Sequence, residues 1–205
     1  MQGMYDGTLV AQGAFSLYRR EALLEVGGWP DMVGEDIVVT WEFLKRDWLV
    51  GHAEDAVAWT SAPETYNGLA RQRKRWARGM IEALELNNSL LKKRRLSTMF
   101  IWWNLLFVSI DLTFTLGFIP GLVLAAFGIF WLAGPLTLLV LPLAALWNVI
   151  IYRIQMRMLK RQDIKMKRSL WGFILFSLIY PLIMQPVSVW GYFAELTGGK
   201  KQWNS

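Results

Sequence analysis

MFIWWNLLFVSIDLTFTLGFIPGLVLAAFGIFWLAGPLTLLVLPLAALWNVIIY, residues 99–152, holds one formally charged side chain, Asp111, in 54 positions. An apolar run of roughly 18 residues already reads as a transmembrane helix. As a single helix the stretch would be about 81 Å long, at 1.5 Å per residue. One span needs roughly 20 residues, so two spans with a short loop fit. Gly134-Pro135 is the strongest turn signal and divides them into spans near 101–127 and 134–152. Pro120-Gly121 is expected to kink the first. A third apolar stretch, 169–194, carries Pro181 and Pro186. The reading is three membrane-spanning helices over 99–205, the third either crossing or re-entering.

Working outward, the whole chain has 205 residues, 54% hydrophobic, with 12 Trp, no Cys and a net charge of +6. That composition excludes a disordered chain and a disulfide scaffold, and it removes thiol nucleophiles and thiolate metal sites. The charge is split. Residues 1–98 hold 13 acidic and 13 basic side chains, whereas 99–205 hold 3 and 9. Seven of those nine basic residues lie in 153–168. The positive-inside rule puts 92–95 and 153–168 on the cytoplasmic side, and two spans between them satisfy that parity. Lys200-Lys201 then falls outside, unless the third stretch re-enters. Residues 1–7 lack the basic and apolar regions of a signal peptide.

The first half reads as mixed α and β. Leu9–Ala11, Ala14–Tyr18, Trp48–Val50 and Ala56–Trp59 are strand-like, with Gly13 as a bulge. Glu21–Val26 reads as a short helix ended by Gly27-Gly28. Glu35–Arg46 reads as a helix with Ile37, Trp41 and Leu44 on one face. Thr65 or Asn67 caps a further basic helix over 68–79. Met80–Leu91 continues as an amphipathic stretch with Glu82, Glu85, Asn87 and Asn88 on its polar side. Followed by Lys92–Arg95, such a helix fits a membrane interface.

Two clusters carry candidate chemistry. Glu35-Asp36 opens a helix, where acids also simply oppose the helix dipole. The functional reading is a carboxylate that takes a proton from an attacking hydroxyl. In Gln72-Arg73-Lys74-Arg75-Trp76, helical spacing puts Gln72, Arg75 and Trp76 on one face. The guanidinium can clamp phosphate oxygens, the indole can cover a sugar ring and the amide can read hydroxyls. The competing reading is a basic surface helix anchored by its Trp. His52, the only His, reads as an ordinary core or surface residue. Asp111, inside a span, is a candidate for a pore or packing role. The sequence has no glycine-rich phosphate loop and no Asp-x-Asp. Each basic run flanks an apolar helix, which favours lipid headgroups over nucleic acid.

Four local matches resemble the C-terminal half of processive family 2 glycosyltransferases, which include cellulose, hyaluronan, chitin and poly-beta-1,6-N-acetylglucosamine synthases. Gly13-Ala14-Phe15 with Arg19–Leu23 and Gly27-Gly28 resembles the acceptor-side strand and helix. Gly34-Glu35-Asp36 resembles the acid motif, with Gly in place of its usual Thr. Pro63-Glu64-Thr65 resembles the lead-in of the poly-N-acetylglucosamine synthases. Gln72-Arg73-Lys74-Arg75-Trp76 fits the Gln-(Gln/Arg)-x-Arg-Trp motif at every defined position. The resemblance is good over residues 8–96 and rests on topology beyond them.

The resemblance implies an α/β fold class with transmembrane helices. Residues 1–66 would be the acceptor-side part of the glycosyltransferase domain, 67–98 the interfacial helices and 99–205 the membrane region. It implies that Asp36, with Glu35 beside it, is the catalytic base. Gln72, Arg73, Arg75 and Trp76 would bind the acceptor end and the nucleotide diphosphate. The implied reaction is inverting transfer from a nucleotide sugar, a UDP-sugar, to a growing polysaccharide. A divalent metal, Mg or Mn, would have its ligands outside this chain. The implied setting is the plasma (inner) membrane, multi-pass, with a cytoplasmic catalytic part, membrane lipid around it and a small membrane subunit as partner. The nucleotide-binding half is expected to lie outside these 205 residues, so the chain alone is expected to be inactive. Two other readings stand beside this one: a non-processive transferase acting on a lipid, and a non-catalytic assembly or channel partner.

Overall fold

The structure is a computed structural model that describes residues 8–53, 56–93, 96–164 and 169–198. It divides into two compact units, one of residues 1–110 with 187–205, the other of 111–186. Lys200-Lys201, Arg94-Arg95 and the basic residues at 165–168 lie outside the described residues.

In the first unit, helix α1 runs Arg20–Glu25 and stops where Gly27 and Gly28 both take φ of +88°. The Gly28 N–H then reaches the Leu23 carbonyl and the Gly27 N–H the Leu24 carbonyl. Glycine takes this left-handed backbone without the Cβ clash other residues meet, so the expected stop holds. Helix α2, Glu35–Lys45, buries Ile37, Trp41 and Leu44 in one cluster with Val38, Leu9, Ala83, Leu90 and Ile101. Burying one such aliphatic side chain is worth roughly 1.5–3 kcal/mol. Glu35 and Asp36 lie in the first turn of α2, where the helix dipole favours acids. At the other end the Lys93 ammonium donates to the Lys45 carbonyl (2.6 Å) and to Asp47 (2.7 Å). Lys93 therefore caps α2 rather than facing lipid.

Among the described residues there is no strand, only an isolated bridge at Val50 where the Thr8 N–H reaches the Val50 carbonyl at 2.9 Å. The segments read as strands from their composition are tied differently. The Trp41 indole donates to the Leu9 carbonyl at 3.1 Å, and the Ala11 N–H donates to the Thr40 hydroxyl at 2.9 Å. The Leu9 carbonyl and the Ala11 N–H thus pair with side chains of α2. Leu49 and Trp59 are exposed. The β part of the expected α/β class has no ladder in the described residues.

Helix α3, Tyr66–Leu86, starts at Thr65, whose hydroxyl accepts the Gly68 N–H at 3.1 Å. Its middle crosses the start of α2 at a glycine pair. A Cβ built on Gly34 would lie 2.5 Å from the Gly79 Cα, and one on Gly79 would lie 2.6 Å from the Gly34 Cα. The Glu82 carboxylate, buried at 3% exposure, accepts the Gly34 N–H at 3.0 Å. Read from sequence, Glu82 and Asn87 belong to a solvated face; both are buried, because α3 packs into this unit along most of its C-terminal half. A 3₁₀ turn, Asn88–Lys92, follows.

The apolar half has two helices long enough to cross a membrane, Met99–Ala126 and Pro135–Arg161. Helices α4 (Leu96–Thr113) and α5 (Ile119–Ala126) make the first, joined by a π turn at Phe114–Phe118. Pro120 has no N–H for a carbonyl one turn back, and the widened turn just before it absorbs the misfit. The chain reverses at Gly128, φ +80°, rather than at the Gly134-Pro135 signal. A Cβ on Gly121 would lie 2.8 Å from the Leu132 Cβ, so the returning segment crosses α5 at that glycine. Pro135 opens a 3₁₀ turn, Pro135–Leu139, ahead of α6, Val140–Arg161. Helix α6 thus carries the first basic residues, expected in a loop, as its last turns. The third stretch is two helices, α7 (Leu170–Leu178) and α8 (Tyr180–Leu196), bent by 44°. They amount to a third span if the bent pair is counted as one. Pro181 sits in the first turn of α8, where its missing N–H costs least.

Gly34→Ala and Gly79→Ala each place a methyl inside a backbone contact. Each should destabilise the first unit by about 1–3 kcal/mol, the usual cost of overpacking. Tryptophan-fluorescence melting in detergent, with Gly117→Ala as a control glycine whose added Cβ would meet nothing, measures the loss.

Candidate active site

The acid pair occupies a defined corner. Glu35 and Asp36 are half-buried, and the Asp36 Oδ1 accepts the Ile37 N–H at 2.8 Å. Among the described residues neither carboxylate has a salt-bridge partner. The loop before α1 closes over them: a Cβ on Gly13 would lie 3.7 Å from the Glu35 Oε1 and 3.9 Å from the Asp36 Cβ. The Thr40 hydroxyl donates to the Asp36 carbonyl at 2.6 Å while accepting from Ala11, which fixes this loop to the first turn of α2. Tyr18, stacked edge-on to Trp29 at 4.7 Å, donates its hydroxyl to the Ala11 carbonyl at 3.1 Å. Burial pushes the Tyr18 phenol up from its usual range, and the nearby charges of Asp36 and Glu35 add to the rise.

Helix α3 distributes its side chains by direction. At about 100° per residue, Gln72 and Gly79 point the same way, with Arg75 and Trp76 on either flank. This is the side that meets Gly34. Gln72 is half-buried, while Arg75 and Trp76 are exposed. The Arg73 guanidinium lies 4.6 Å from the centre of the Trp76 ring. It lies over the face of the indole, a cation–π contact.

The opposite side of α3 faces α8. A Cβ on Gly191 would lie 2.7 Å from the Ala77 Cβ and 2.8 Å from the Lys74 carbonyl. The Lys74 ammonium lies 5.7 Å from the Trp190 ring. The Arg78 Nε donates to Glu195 at 2.7 Å, in a pair less than 10% exposed on both sides. The sequence signals for Gly79 and Glu82 were their distances from Gln72, seven and ten residues, which return to the same helical side. Arg78 and Glu195, 117 residues apart, gave no such signal.

His52 is exposed, and Asp111 lies half-buried in α4. Among the described residues no three His, Asp or Glu side chains converge, so they do not fit a divalent cation.

The model of glycosyl transferase family group 2 matches residues 2–197. The chain belongs to this glycosyltransferase family. A poly-beta-1,6-N-acetyl-D-glucosamine synthase of Staphylococcus epidermidis is 40% identical over 87 residues, covering 42% of this chain and 21% of the relative. The synthase of the same name from Staphylococcus aureus strain COL is 41% identical over 73 residues, covering 35% and 18%. The chain therefore spans about a fifth of the length of these relatives. No solved structure matches it. The family match runs through both motif clusters and the apolar helices.

Two measurements probe the site. Breaking a buried ion pair costs about 3–5 kcal/mol, so Glu195→Gln should lower the melting point markedly, and Arg78→Glu with Glu195→Arg should recover part of the loss. The raised Tyr18 value means its neutral form is favoured in the fold. That contribution is fully present below about pH 10 and is lost as pH rises through the raised value. Alkaline melting curves should therefore flatten in Tyr18→Phe.

Proposed function

We propose that the chain is the acceptor-side and membrane part of a polysaccharide synthase. It transfers a sugar, with inversion, from a nucleotide sugar to the hydroxyl end of a growing chain. The observation that carries this is the meeting of the α2 start with α3. It packs the start of α2, whose first turn carries Glu35 and Asp36, on the helix that bears Gln72 and Arg75, and Asp36 has no salt-bridge partner among the described residues.

In this reading the Asp36 carboxylate accepts the proton of the acceptor hydroxyl as its oxygen bonds to the anomeric carbon. The bond from that carbon to the diphosphate oxygen breaks, and Arg75 offsets the charge left on the diphosphate. The exposed Trp76 ring, with Arg73 against it, gives a flat apolar surface for the sugar at the acceptor end. Glu35 lies half-buried beside Asp36. The diphosphate is a good leaving group, so one carboxylate suffices where glycoside hydrolysis uses two.

The donor is a UDP-sugar. The names of the relatives favour N-acetylglucosamine, and a polysaccharide acceptor follows from the same names. No Asp-x-Asp occurs in the sequence, so in this reading the divalent metal, Mg or Mn, is held by carboxylates outside these residues. A nucleotide-binding half accompanies the chain for the same reason. In this reading the protein lies in the plasma membrane with its catalytic part on the cytoplasmic side, which the apolar helices Met99–Ala126 and Pro135–Arg161 support. A small membrane subunit fits the exposed apolar sides of these helices.

The reading is tested in membrane vesicles carrying the chain together with its donor-binding half and a labelled nucleotide sugar. Asp36→Asn should lower turnover by about 10²–10⁴-fold, the share of one general base, with donor binding unchanged. Trp76→Ala should shorten the product. Undiminished turnover in Asp36→Asn would remove the base assignment.

A further inference from the structure

Glu82 lies outside both motif clusters, yet it touches the acid motif. Its carboxylate is buried and accepts the Gly34 N–H at 3.0 Å, two residues before Asp36. Burying a carboxylate is costly unless its hydrogen bonds repay the lost water. Gly34 is the residue that starts α2, and having no side chain it provides no cap of its own. The hydrogen bond from α3 holds the backbone there instead.

We propose that Glu82 is a positioning residue for glycosyl transfer, fixing where the start of α2, which carries Asp36, sits along α3, which carries Gln72 and Arg75. The proposal rests on the reading of Asp36 as the base. Two contacts define the joint. The Gly34–Gly79 contact sets how closely the helices approach, since no atom fits between the backbones. The Glu82 hydrogen bond then sets how far α2 sits along α3. Gln72 and Arg75 are ten and seven residues before Glu82 in the same continuous helix, so the register of Gly34 on Glu82 is also the register of Asp36 on the motif. Misplacing a reacting group by 1 Å can cost about 10²-fold in rate.

Glu82 also brings negative charge to the start of α2, which favours the helix dipole. Charge and geometry predict opposite orders for two conservative variants. Glu82→Gln keeps the length and the accepting oxygen but drops the charge. Glu82→Asp keeps the charge but withdraws the oxygen by one methylene.

The test measures initial rates of sugar incorporation by the complete synthase in membrane vesicles across donor concentrations, per folded enzyme. Glu82→Asp should lose roughly 10–10²-fold in kcat with donor KM within about twofold, and Glu82→Gln should recover to within about threefold of the unaltered enzyme. Gly79→Ala, which displaces the same joint from the other helix, should also lower kcat at constant donor KM. Glu82→Asp equal to or better than Glu82→Gln overturns the proposal. So does unchanged kcat in Gly79→Ala, or a loss confined to KM. Asp36→Asn in the same assay separates the two ideas. Full turnover there removes the base assignment itself, whereas an inactive Asp36→Asn with the wrong order at position 82 removes only the positioning role.

Discussion

The backbone contact between Gly34 and Gly79 is the constraint on which the corner holding Glu35 and Asp36 depends. Helix axes usually stand 8–10 Å apart because side chains separate them. Here a glycine on each side removes the spacer, and an added Cβ would sit about 2.5 Å from the opposing Cα. That is closer than non-bonded atoms approach at their optimum of about 3.5–4.0 Å. The departure from the Thr-Glu-Asp pattern at position 34 therefore has a physical cause. A Thr there could supply a capping hydroxyl, but only if α3 stood further away. The structure gives up the hydroxyl, gains the approach and has Glu82 hold the backbone from α3.

The same helix separates its cations by task. Arg78 is spent on Glu195 and Lys74 on the Trp190 ring, both on the side toward α8. Arg73 lies on Trp76, and Arg75 keeps its guanidinium exposed. A run of five basic residues between Arg71 and Arg78 thus looks uniform in sequence but is sorted by the 100° turn per residue. A buried, paired Arg is held by its partner and has little to offer a phosphate. An exposed Arg, such as Arg71 or Arg75, has donors to spare.

What the sequence made legible follows from range. Local rules sufficed for the Gly27-Gly28 stop, the Thr65 cap, the buried face Ile37, Trp41 and Leu44, and the two long apolar helices, because each depends on a few neighbours. The two motif clusters were legible by residue type and spacing. Their joint was not, because Gly34 and Glu82 are 48 residues apart and nothing local marks a glycine as a contact point. Strand composition misled for a related reason. Leu9–Ala11 has the apolar content of a strand, but its backbone groups are taken up by the Trp41 indole and the Thr40 hydroxyl. Strand propensity describes fit to a half-buried pleated surface, and the side chains of α2 provide a different partner.

The C-terminal part of α8 closes the argument about α3. Buried Val189 and Tyr192, with Gly191 pressed on Ala77, cover the side of α3 that faces away from the acids. Helix α3 is therefore gripped on two sides, by α2 through Gly79 and Glu82 and by α8 through Ala77 and Arg78. The buried residues of α3 run from Ala77 to Ala83, in its C-terminal half. Arg75 and Trp76, at the middle of the helix, are exposed. Fixing the C-terminal half therefore also fixes where these two side chains emerge.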